Sequence, residues 1–323
     1  MLETIEQVSR RIWEGQALLL AGDEPLLRAL PRGNWIAGTI PYFIDDAGGV
    51  CSRERIHVTP MPAWASAPTI RSHWPARLPR IFADAPDHGF SALLLPAGSA
   101  VHLAYARDAA TYADAFMKPV IGWIAGVHVS EIGVKAPKVV NGATGECTAD
   151  QAVVLDVPIP EAKRVEIDIV NVFRSGDGDT IRFPQTGFET SQALVNGKPA
   201  DFAAYLEHIG ADTRLPLTAD YNGSVVNVSF QSVDQASGVV KFYAPVFEDV
   251  EYKLAAPVGD YVAEFECVLG NGAQRPLFAC NCILNYLYAG LEGKRIGSFS
   301  GPITFGEIAY ILLNQTAVRL LIH

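Results

Sequence analysis

The sequence predicts a mixed α/β protein, α+β-like in its ordering, made of two similar-sized halves whose mixed or antiparallel sheets are flanked by helices. Three observations carry that expectation. The chain has 323 residues, enough for one large domain or two of about 150. Apolar residues make up 49% of it, enough to fill a sizeable core. Short apolar or alternating runs of strand length recur between helical stretches, without the regular alternation of a doubly wound parallel sheet.

The elements follow in order. Residues 2–20 carry Leu2, Ile5, Val8, Ile12, Trp13 and Leu18–Leu20 near one helical face. Asp23 is placed to cap a short helix with Pro25 in its first turn, running to Leu30. Trp35–Ile44 reads as a strand bending at Gly-Thr-Ile-Pro, and Val50–Thr59 as another. Five prolines make Pro60–Arg80 a long surface connection. A strand is expected at Phe90–Leu95, a helix at Ala109–Phe116, and strands at 120–129, 152–157 and 164–174. The domain boundary falls between 175 and 190, giving halves 1–180 and 181–323. In the second half, Pro199–Ile209 and Asn281–Leu291 read as helices. Val225–Phe230, Val239–Ala244, Tyr252–Leu254, Leu277–Ala279, Arg295–Ser300, Gly306–Leu313 and Thr316–Ile322 read as strands. Glu264 and Glu266 flank Phe265 at strand spacing.

Charge and cysteine usage narrow the function. The formal net charge is −10 and the Lys and Arg residues are dispersed, which argues against nucleic acid or an anionic membrane surface as partner. The longest apolar runs are far short of the ~20 residues a membrane span needs. The N-terminus lacks the pattern of a signal peptide, and five scattered cysteines suit a reducing compartment. A cytoplasmic location is therefore expected. The glycine spacing matches neither a dinucleotide fingerprint nor a P-loop, and no His, Cys or carboxylate spacing suits a metal. No cofactor or metal is expected.

Three stretches resemble one known family. Leu194-Val-Asn-Gly-Lys-Pro-Ala-Asp-Phe-Ala-Ala-Tyr-Leu-Glu-His-Ile-Gly210 resembles the opening of a FIST C-terminal domain. Leu277-Phe-Ala-Cys-Asn-Cys282 resembles that family's strand ending in cysteine, and Ile296–Ala309 its closing Gly-Glu motif. The order and spacing agree over about 130 residues. Ile36-Ala-Gly-Thr-Ile-Pro-Tyr-Phe-Ile44 stands where the FIST N-terminal domain has a glycine turn, without that turn's glutamate. The resemblance implies a divergent, stand-alone member with a FIST-N-like half (1–180) and a FIST-C-like half (181–323). It also implies sensory binding of a small polar metabolite, with amino acids as suggested inputs, and a separate signalling partner protein.

The candidate ligand-binding residues are Gly38, Thr39, Tyr42, Cys280, Asn281, Gly297, Ser298, Ser300, Gly301 and Glu307, expected to face one cleft between the halves. Glycines permit close backbone approach, hydroxyls and N–H groups suit a ligand carboxylate, and Glu307 suits an ammonium. The same loop is also compatible with a bulged strand pair that leaves Glu307 in solvent. The turns at Ile36–Thr39 and Ile296–Phe299 resemble each other, which suggests that the halves are remote repeats. Two rival functions stay open. One is a cysteine-dependent hydrolase or transferase with Cys280 as nucleophile, against a purely structural Cys280. The other is a scaffold that uses apolar surface around Trp64 and Trp74.

Overall fold

The computed structural model describes residues 1–65, 68–221, 224–269 and 274–323. It is mixed α/β, as expected. The chain forms two compact units that interleave along the sequence rather than meeting at residue 180. The first comprises Met1–Val170, Leu269–Leu312 and Ala317–His323; the smaller second comprises Asn171–Val268 and Leu313–Thr316.

The first unit is three copies of one module. The first copy runs Leu2–Glu3, helix Ile5–Trp13, Leu18–Gly22, helix Glu24–Arg28, Trp35–Thr39, and Ile56–Pro60. The second runs Thr69–His73, helix Arg80–Ala83, Gly89–Pro96, helix Ala100–Asp108, Val120–Ala125, and Ala152–Pro158. The third runs Val165–Val170, Phe278–Cys282, helix Ile283–Tyr288, Gly301–Thr304, and Ala317–Ile322; the helix Tyr261–Leu269 that precedes Phe278 belongs, up to Val268, to the second unit. Each module builds a sheet in the spatial order first, last, second, third strand, and the second and third are parallel. A short helix makes each parallel crossover, as parallel neighbours require.

Before its last strand each module hands a hairpin to another module's sheet. Tyr42–Asp45 and Gly48–Cys51 join the third sheet, Val139–Asn141 and Glu146–Thr148 the first, and Glu307–Ala309 and Ile311–Leu313 the second. The exchange is cyclic, so all three sheets have six strands in one order. Internal repetition is thus threefold. The register pairs Gly38 with Val139, Trp123 with Glu307, and Pro302 with Phe43. Thr39 therefore corresponds to Ile124 and Thr304, and Tyr42 to Val139 and Glu307. The resemblance read between Ile36–Thr39 and Ile296–Phe299 is out of step with this correspondence.

Local chemistry explains several departures from expectation. The first helix starts with a capping box, Thr4 N donating to Gln7 Oε1 at 2.8 Å and Gln7 N to Thr4 Oγ1 at 3.4 Å. Gly15, at φ +77°, ends it, so Leu18–Leu20 leave the helix and enter a fully buried strand. Val8, Ile12, Leu18, Leu20, Trp35 and Val58 pack into one cluster there. The strand expected over Val50–Thr59 is broken at residues 52–55. Thr69–His73 is a strand inside the expected proline-rich connection, where 66–67 lie outside the described residues. The helix expected at Ala109–Phe116 instead occupies Ala100–Asp108, capped by Ser99. Tyr261–Leu269 is a helix, which overrides the strand spacing of Glu264 and Glu266. Arg295–Ser300 is not a strand; the strand begins at Gly301.

The second unit holds three three-stranded sheets and the helix Phe202–His208, capped by Asp201. Its core centres on Phe183, whose ring meets Phe202, Phe242 and Tyr252 edge-on at 5.3–5.7 Å. Asn227 Nδ2 donates to Asn314 O at 3.1 Å and Ser229 Oγ to Gln315 Oε1 at 2.7 Å, fixing the Leu313–Thr316 segment in this unit.

Candidate functional site

All ten predicted site residues belong to the first unit, in three different surroundings. Five are sealed in its interior. Cys280, Asn281 and Glu307 have no exposed surface. A Cβ at Gly38 would stand 2.7 Å from Trp123 Nε1, and one at Gly301 1.9 Å from Ala279 O. These two glycines answer close packing of strands rather than the approach of a ligand. Asn281 Oδ1 accepts from Cys282 N at 2.7 Å and from Asn285 Nδ2 at 2.9 Å, so it braces the strand-to-helix junction. Glu307 accepts from Thr304 Oγ1 at 3.3 Å inside the protein, correcting the picture of a carboxylate in solvent. Cys280 Sγ approaches Gly122 O at 3.6 Å. Burial, and then the Glu307 charge, push its thiol well above the usual range. An enclosed thiol held protonated is a poor nucleophile, which weighs against the hydrolase or transferase reading.

Ser298 and Ser300 border a surface recess with Arg275 and Phe278, and Gly297 forms an exposed turn at φ +51°. Trp64 and Trp74 are 39% and 54% exposed, with Lys163 Nζ 4.8 Å above the Trp64 ring.

Thr39 and Tyr42 belong to a built site. A pocket of about 350 Å³ opens where the parallel strands Leu18–Gly22 and Trp35–Thr39 end. Its walls are Asp23, Glu24, Arg28 and Thr39 on one side and Val127, Glu131, Lys135 and Ala136 on the other. Ligands in α/β sheets favour such a crevice outside the carboxyl ends of parallel strands. The far wall is the loop between Ala125 and Val139, which carries the hand-over from the second module to the first sheet.

Thr39 closes the neck of that loop. Its Oγ1 donates to Gly126 O at 2.8 Å and accepts from Lys138 N at 2.9 Å. Its backbone N–H donates to Lys138 O at 2.9 Å, and its carbonyl accepts from Gly126 N at 2.7 Å. One buried residue thus pins both ends of a compact loop whose ends are close together. Tyr42 holds the loop from the side. Its hydroxyl accepts from Val129 N at 3.2 Å, and its ring stacks on His128 at 5.5 Å and meets Tyr286 at 5.6 Å.

Both signs of charge ring the pocket. Glu131 Oε1 takes Lys135 Nζ at 2.6 Å and Arg53 at 3.0 Å, and Arg53 also lies 3.8 Å from Asp23. Glu24 Oε1 takes Arg28 at 2.6 Å and Lys138 at 2.7 Å. Lys135, then Arg53, hold the Glu131 carboxyl below the usual carboxylate range. Burial pushes Glu24 upward, but Lys138 and Arg28 together outweigh it. Glu131 Oε2 is enclosed without a hydrogen-bond partner. Asp23, Arg53, Glu131 and Lys135 escaped the sequence reading because they are distant in the chain. The one sequence signal near the pocket is Gly22-Asp23-Glu24-Pro25, whose pattern is that of a helix start.

The class defined by this fold and site is a three-module α/β protein with a charged pocket at the end of one parallel strand pair. No group of His, Cys, Asp and Glu among the described residues is arranged to hold a metal ion, and no helix among them is long and apolar enough to cross a membrane. The chain belongs to the DUF6976 family, a family of unknown function, whose model matches residues 3–323. No curated protein and no solved structure matches it.

Proposed function

We propose that this protein binds a small polar metabolite carrying both an acidic and a basic group, an amino acid being the simplest case, in the pocket that Thr39 and the 126–138 loop enclose. The observation that carries this reading is the ring of opposite charges around the pocket, with Glu131 Oε2 enclosed and unpartnered. The Glu131 carboxylate, which lines the pocket, suits a ligand ammonium. Arg28 and Lys135 suit the ligand's carboxylate. The FIST resemblance supports a sensory role with a separate signalling partner in the cytoplasm. Its three motifs are divided, 194–210 lying in the second unit and 277–282 and 296–309 in the first.

A thermal-shift screen of amino acids and related metabolites tests the proposal, because a ligand of the folded state alone raises Tm. We expect a stabilising ligand whose effect falls about tenfold in affinity in Glu131→Gln and in Lys135→Ala, the loss of one charge-assisted contact. A screen in which no zwitterion stabilises the protein sinks the proposal, as does a ligand indifferent to both variants.

A further inference from the structure

The surface recess beside Ser298 and Ser300 differs in kind from the strand-end pocket. It measures about 230 Å³, below the range of about 300–1,000 Å³ usual for drug-sized ligands. Its floor is the strand Ile56–Pro60 and the start of Phe278–Cys282, with Phe278 backed by Trp123 at 5.4 Å. His57, 5% exposed, lines it, its Nε2 3.2 Å from the Met1 ammonium, and so does Thr59, 4% exposed. Among the described residues, no carboxylate side chain lines it, although the chain as a whole carries a net charge of −10. Among the described residues, the Arg275 guanidinium and the Ser298 and Ser300 hydroxyls have no hydrogen-bond or ion-pair partner.

We propose that Arg275, Ser298 and Ser300 form a second binding site, one that takes the oxyanion head of a small ligand, a phosphate or a carboxylate. Donors without acceptors, in a recess with an arginine and two serines on its lining, are what such a head requires. Guanidinium supplies two parallel N–H groups to a planar or tetrahedral oxyanion, and each serine adds a hydroxyl.

The test is calorimetric titration of the full chain at low ionic strength with inorganic phosphate and, separately, with acetate. Saturable binding of either probe is expected, and whichever binds more tightly identifies the head. Arg275→Ala should weaken it about tenfold, the scale of one charge-assisted hydrogen bond. Ser298→Ala with Ser300→Ala should weaken it several-fold. Arg275 and Ser298 are exposed, so their variants are expected to fold. Lys241→Ala, which removes a positive charge in the second unit, should bind as the parent does. Lys135→Ala should also leave this binding intact, which separates the site from the strand-end pocket. Failure of both probes to saturate overturns the proposal, and so does binding that Arg275→Ala leaves unchanged.

Discussion

Two of the three hand-over loops in the first unit are two residues long, and the third is thirteen. Ile40–Pro41 leads from Thr39 to Tyr42, and Phe305–Gly306 from Thr304 to Glu307, whereas residues 126–138 separate Ala125 from Val139. The short loops leave no space. Phe305 packs so closely on Gly126 that a Cβ there would stand 2.3 Å from its ring. The long loop rises off the sheet and walls the strand-end pocket. Equivalent positions thereby acquire opposite fates. Thr304 and Glu307 bond to each other in the interior, while Thr39 secures the neck of an open loop. A repeated scaffold gains a cavity where one copy is lengthened, because rigid elements hold the ends and the loop is free to vary.

The largest effect is expected where the strands of a short-loop module pack most closely. In Gly301→Ala the new methyl would meet Ala279 O at 1.9 Å, a backbone atom that cannot turn aside. Overpacking of this kind should lower stability by about 3 kcal/mol or more, read as the shift of a urea-unfolding midpoint at unchanged slope. A loss below 1 kcal/mol would mean that the third module is looser than its packing indicates.

Much of the fold was legible. Capping at Asp23, the buried strand around Phe90–Leu95, the helix near 202–208 and the final strand all follow from local pattern. The threefold plan was not legible, because the modules share geometry rather than residues. The turns after their second strands show why. Asp23 caps with its carboxylate, Ser99 with its hydroxyl, and the third turn leaves Cys282 without a side-chain cap while Asn281 bonds Cys282 N. Three solutions to one backbone demand leave no common sequence mark. Insertion of the second unit between Val170 and Leu269 further separates the third module's strands. For the site, Thr39 and Tyr42 were found through the glycine turn. Glu131 and Lys135 fall between the strands expected at 120–129 and 152–157, where no sequence motif marks them.

The second module invites a test by pH. His102 is 8% exposed, and its Nδ1 accepts from Gly98 N at 3.1 Å. The neutral ring therefore carries its proton on Nε2, which is buried without a partner. Burial lowers its pKa from 6.5 to about 4. Between those values the unfolded chain binds the proton and the folded chain does not, so stability falls as pH drops from 6.5 and stops falling on this account below 4. The full effect is about 3 kcal/mol. His57 and His73 are lowered in the same direction, chiefly by burial, and add to the slope. Urea midpoints at pH 7 and pH 4.5 should differ less in His102→Gln than in the parent. Equal differences would place the acid sensitivity elsewhere.

The smallest of these effects bears most directly on the comparison of loops. Thr39→Val keeps the shape of the side chain but removes its donor to Gly126 O and its acceptor for Lys138 N, leaving both groups without that partner in a buried neck. A loss of about 1–3 kcal/mol is expected. The informative readout is local. Amide exchange of Lys138 should speed up, while exchange in the strand Gly301–Thr304 should keep pace only with the change in global stability. Thr39→Ser, which restores both hydrogen bonds, should return exchange at Lys138 to near the parent rate. If Thr39→Val instead accelerated exchange equally across all three sheets, the neck would be part of the common core. The long loop would then be held by the charges of Arg53, Glu131 and Lys138, and its pocket should loosen with salt, which screens exposed pairs and leaves hydroxyl bonds largely untouched.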